Sequence, residues 1–197
     1  MALNCENKLS ADIIRNCDAH NSAGLETNVV LINIDDINRA ALTLDVTNDL
    51  VVTDLATKSG TTGYLLEGVN QVFGASFELV PQEFSENRYK HTFSGVILTP
   101  SAANKKLLGE LAGGGRYVAV VEKLFKGVNS VDAFEVLGLD VGLKVTTVTY
   151  SSKENQGVIQ FELSSAEGME EPKMPRNVLE TDYATTKTSF DGKFATA

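Results

Sequence analysis

The feature that most constrains this chain is a succession of short runs rich in β-branched residues, each cut off by turn formers. Val29-Val30-Leu31-Ile32-Asn33-Ile34 is the most apolar of them and stops at Asp35-Asp36. Ala41–Leu44 and Leu50–Leu55 follow, separated by the turn-prone Thr47-Asn48-Asp49. Tyr64–Gly68, Phe73–Leu79 and Tyr89–Leu98 read as three more strands, the last alternating early and turning apolar late, as a strand entering a core does. Tyr117–Val121 and Phe134–Leu137 continue the series. Lys144–Tyr150 and Val158–Leu163 read as a hairpin across Ser151–Gly157. The 197 residues include 20 Val and 17 Thr, which favours sheet over helix.

One main helix is predicted, at about 99–112. Thr99 suits its N-cap, Pro100 its first turn, and Leu107, Leu108 and Leu111 supply an apolar stripe. Gly113-Gly114-Gly115 ends it with residues that tolerate positive φ. Before the first strand, Ser10 can cap a short helical turn through Asp12-Ile13-Ile14-Arg15, closed by the polar stretch from Asp18 to Gly24. Beyond Ser164 the chain is charged and interrupted by Pro172 and Pro175, which predicts an extended C-terminal arm whose apolar anchors pack on a neighbouring subunit. The fold class expected is β-rich α+β: an antiparallel β-sandwich or barrel with that flanking helix. The organisation expected is an N-terminal segment (1–28), a β-rich core (29–163) and the arm (164–197).

Charge and motifs point away from most chemistries. Acidic residues outnumber basic ones 26 to 17, for a formal charge of -9. General duplex-DNA binding and docking on anionic membranes both need clustered Lys and Arg, which this balance disfavours. No apolar run approaches the roughly 18 residues of a spanning helix, and the N-terminus lacks a basic-then-apolar signal pattern. Cys5, Cys17 and His20 fit no zinc-site spacing, so no metal or cofactor is expected. The three consecutive glycines follow a helix instead of preceding one and lack a Gly-Lys-Ser/Thr sequence, so they are no phosphate loop. Arg116 beside them could reach a neighbour's carboxylate. Gly138-Leu139-Asp140-Val141-Gly142 has too few carboxylates for a calcium loop and reads as a tight connection. No G-x-S-x-G occurs, and His91, between Lys90 and Thr92, reads as a surface or interface residue. Asp35, Asp36, Asp45, Asp49 and Asp54 form an acidic series without the aromatic walls of a sugar cleft. An enzyme is not expected.

The stretches Arg116–Lys123, Ala133–Leu143 and Gly157–Ser164, with Glu170-Glu171-Pro172 and Thr181–Lys187, resemble structural proteins of tailed bacteriophages, most nearly tail tube proteins of the Bacteroidetes-phage type. The likeness runs over residues 88 to 190. It implies a virion protein, made in the bacterial host cytoplasm, whose homo-oligomeric rings are hexameric and stack into a conduit for DNA ejection. DNA would pass without specific binding, which an acidic subunit permits. On this reading the five aspartates are lumen candidates, and the Gly68–Ser85 region and the Met169–Phe194 arm are interface candidates. A head–tail connector or neck protein and a capsid decoration protein remain open alternatives. So does a soluble ligand-binding β module using Tyr64, Phe73, Phe77 and Tyr89, although those aromatics read more simply as core.

Overall fold

The computed structural model describes residues 11–14, 22–69, 71–154 and 156–196. Eleven strands and two α-helices occur among them: β1 Leu25–Asn33, β2 Thr43–Leu44, β3 Val51–Asp54, β4 Tyr64–Glu67, β5 Gly74–Val80, β6 Arg88–Ile97, α1 Ala102–Leu111, β7 Tyr117–Lys123, β8 Phe134–Leu137, β9 Lys144–Tyr150, β10 Ile159–Ser164, β11 Arg176–Val178 and α2 Tyr183–Asp191. They build a seven-stranded sheet in the order β2-β3-β11-β8-β7-β1-β4 and a four-stranded sheet in the order β5-β6-β10-β9. The small sheet is wholly antiparallel; the large one is mixed, because β11 runs parallel to β3. The protein is thus a β-rich α+β sandwich, and neither sheet closes into a barrel.

The packing has three layers. Val29 and Leu31 of β1, Ala119 and Val121 of β7 and Leu137 of β8 face the small sheet, where Phe93, Ile159, Phe161 and Leu163 meet them. Val30, Ile32, Val118, Val120, Phe134 and Val136 point the other way, onto Phe190 and Phe194 from α2 and the turn after it. A strand buried on both faces has no reason to alternate. That is why the sequence at 29–32 and 118–121 is an unbroken apolar run: all eight of these residues are below 9% exposed.

Three expectations are corrected here. Residues 164–197 are not an extended arm. Arg176–Val178 is inserted between β3 and β8, and α2 supplies the outer layer of the chain's own core. Helix α1 is shorter than predicted, because the N-cap is Ser101, whose hydroxyl accepts from the Asn104 N–H; Thr99 and Pro100 precede it. Only Leu108 of α1 is buried. At the N-terminus, residues 11–14 are exposed and not helical. Ser10, Arg15, Cys5, Cys17 and His20 lie outside the described residues.

Candidate assembly surface

Cross-strand register decides what the small sheet shows on each face. Phe77 pairs with His91 and Leu79 with Tyr89, while Val148 pairs with Phe161 and Tyr150 with Ile159. Paired residues project to the same side, so all of these lie on the face that carries Phe93 and turns toward the large sheet. The large sheet does not reach the ends of that face. Phe77 (48% exposed) and Leu79 (51%) overhang on the β5 side, and Val148 (45%) and Tyr150 (52%) on the β9 side. Phe77 and Tyr89 touch edge-on at 6.2 Å, and the Lys105 ammonium sits over the Tyr150 ring. The opposite face is nearly all polar. Its cross-strand rungs include Ser94–Glu162–Thr147 and Ser76–Thr92–Ser164, and a Glu78–Lys90 ion pair at 3.3 Å.

β5 and β9 are both edge strands, so each offers unpaired backbone N–H and C=O groups beside an apolar overhang. Of the four aromatics considered as a binding platform, only Phe73 is core; Tyr64 and Phe77 are largely exposed and Tyr89 is half-buried. Alternation along β5 places Phe77 and Leu79 on the core-facing side, but burial depends on how far the opposing layer extends.

The five aspartates named as lumen candidates sit on different elements. Asp45 and Asp49 lie in the β2–β3 turn and Asp54 at the far end of β3, while Asp35 and Asp36 occupy a 3-10 turn after β1. Most have local work. Asp45 accepts from the backbone N–H groups of Thr47 and Asn48 and from the Thr47 hydroxyl, which holds its carboxyl below the usual range. Asp36 accepts from the Asn33 amide and Asp49 pairs with Lys173 at 2.9 Å.

The buried polar groups act on the turn at 138–142, where Gly138 (φ +72°) and Gly142 (φ +91°) take backbone conformations that L side chains rarely adopt. Glu171, 1% exposed, accepts from the N–H groups of Asp140, Val141 and Gly142 at 2.9–3.0 Å. Burial outweighs those three donors and leaves its carboxyl above the usual range. Arg176 reaches Asp140 at 2.7 Å, and Arg116 donates to the Val141 carbonyl at 3.1 Å. His91 is buried, not at the surface: its Nδ1 accepts from Gly138 N–H and its Nε2 donates to the Lys173 carbonyl. Burial pushes it down to about 4, so the ring is neutral with its proton on Nε2. On the other side of the large sheet, Glu122 accepts from Lys126, Lys187 and Tyr183, tying α2 to β7.

Every group in these two clusters has a partner inside the chain. Among the described residues no group of three or more His, Cys, Asp or Glu could hold a metal ion, and no helix is long and apolar enough to cross a membrane. Comparison with protein-family models, curated proteins and solved structures finds no match to this chain. Unmet backbone bonding capacity beside exposed apolar side chains lies at both overhanging edges of the small sheet, and the edge strands β2 and β4 of the large sheet are open as well.

Proposed function

We propose that this chain is a self-assembling structural subunit that joins head-to-tail into rings, and that those rings form the DNA conduit of a phage tail tube. One observation carries the reading: two different apolar edges flank one sheet, Phe77 and Leu79 at β5 and Val148 and Tyr150 at β9. A two-fold dimer uses one patch against itself, whereas two unlike patches on opposite edges make a heterologous contact, which yields a ring when the rotation between copies closes. Joining β5 of one copy to β9 of the next satisfies both edges and runs the sheet from subunit to subunit. Six copies, at about 4.8 Å per strand, give a circumference of roughly 115 Å before strand tilt, enough for a bore wider than about 2 nm.

In such a ring the polar face of the small sheet, with Glu78 and Glu162 against Arg88, Lys90 and Lys144 among Ser and Thr, would line the bore in place of the scattered aspartates. Near-balanced charge there gives DNA phosphates no grip. The virion as location follows from the same reading, and so does the host cytoplasm as place of synthesis.

Light scattering on the purified chain, with negative-stain microscopy of the largest species, tests this. Rings or tubes with a central hole are expected. Phe77→Asp and Tyr150→Asp should each leave a folded monomer, since both side chains are about half exposed in the single chain. Mixed together, the two variants retain one intact contact and should stop at a heterodimer. A wild-type chain that stays monomeric at high concentration, or variants that both still form rings, overturns the proposal.

A further inference from the structure

A second unfilled surface lies away from the β5 and β9 edges. Between α1 and β4, the outermost strand of the large sheet, runs an open groove of about 820 Å³. Its walls are apolar: Leu65 and Val69 on the β4 side and Leu107 on α1 are 46%, 53% and 60% exposed. Its ionisable carboxyls are Glu67 and Glu110, and no Lys, Arg or His lines it.

The chain also carries an apolar pair that none of the described residues covers. Ile13 and Ile14 are 89% and 83% exposed. The segment that bears them enters the fold at one end of the groove: Gly24 lies against the Gln71 side chain, and the Thr27 carbonyl accepts from Gly68 N–H, next to Val69. Arg15 follows the pair directly in sequence and offers a cation to Glu67, which has no ion pair among the described residues; Glu110 already pairs with Lys106 at 3.7 Å, and Asp12 on the other flank can stay in water. Ile14 lies 11 residues before Leu25, and at up to about 3.3 Å each these reach about 36 Å, enough to touch an adjacent subunit.

We infer that Ile13 and Ile14 of one copy dock in the α1–β4 groove of another, so that the N-terminal segment straps neighbouring subunits together. Both surfaces are open in the single chain, and one exchange between copies covers both. Hydrophobic anchors set into a groove, with a charge at the rim, are a common form of peptide recognition. The inference rests on the self-assembly proposed above, but it uses a different face of the molecule.

The native Cys17, three residues past Ile14, serves as reporter. In a C5S background, Leu107→Cys places a thiol on the groove wall at a position already 60% exposed. Isotope-labelled and unlabelled copies are mixed, assembled, oxidised mildly and digested for mass spectrometry. The expected product is a disulfide between Cys17 of one copy and the thiol introduced at position 107 of another, joining labelled to unlabelled peptide. Its yield should drop at least about tenfold when Ile13→Asp and Ile14→Asp are added, since two side chains of that size lose their burial. Rings seen by microscopy without this link, a link formed only within one copy, or a yield indifferent to the two aspartates overturns the inference and leaves the ring reading standing. A chain that never assembles overturns both.

Discussion

Helices α1 and α2 are nearly equal in length and opposite in role. α1 has the stronger local pattern: a proline before the cap, three leucines on a stripe, three glycines at the end. Yet it buries one residue, Leu108, and leaves Leu107 60% exposed. α2 has four Thr and Ser among its nine residues and little stripe, but Phe190 is fully buried against Phe134 and Phe194 follows it into the core. Capping and stop signals report whether a helix forms. How much it stabilises depends on the surface it meets, and α2 meets the apolar far face of the large sheet.

Phe190→Ala is expected to have the largest effect, about 3–5 kcal/mol in denaturant unfolding, because it leaves a cavity between α2 and β8. A loss under about 1 kcal/mol would mean that α2 is not a structural layer.

Acid should loosen the C-terminal segment that leads to β11 and α2, and spare α1. The His91 ring holds the Lys173 carbonyl, on the segment leading to β11 and α2, against the turn at Gly138. Its folded pKa, about 4, lies below the 6.5 of the free side chain. The unfolded chain therefore binds the extra proton first, and stability present above pH 6.5 is lost as pH falls toward 4. The full shift corresponds to at most about 3 kcal/mol. Unfolding free energies measured across that range should fall with acid, and His91→Gln should flatten the slope. Hydrogen exchange at the lower pH should quicken at β11 and α2 before α1. An unchanged slope in the variant would remove His91 from the account.

The caps make the finest comparison. Asp182 accepts from the Thr185 N–H and Ser101 from the Asn104 N–H. Asp182→Ala should cost about 1 kcal/mol of global stability. Ser101→Ala, on a helix that can fray without opening the core, should speed hydrogen exchange in α1 and shift the global transition by less than about 0.5 kcal/mol. Equal global losses would show that α1 unfolds only with the whole domain.

Much of the sheet is readable from residues alone. Of the eleven strands, ten match runs of β-branched and apolar residues to within a few positions, because a pleated strand selects those side chains wherever it ends up. The turn at Gly138–Gly142 is equally plain, since its backbone excludes most other residues. The three residues of β11 carry no such mark: Asn177 and Val178 pair with Val51 and Val52, more than a hundred positions away, and no local pattern announces a partner that distant. His91 and Glu171 are misjudged or missed for the same reason. A polar residue in a strand or a charged loop reads as solvated until the segment that covers it is known.

Composition and spacing alone determined the strands, the turns, the acidity and the place of the first helix, all properties of a few neighbouring residues. The three-layer order, the capture of the C-terminal segment as a central strand and a core helix, and the uncovered flanks of the small sheet were decided only by tertiary structure. Each of these depends on where a distant layer stops, and the free energy of burial is set by that boundary, not by the residue that crosses it.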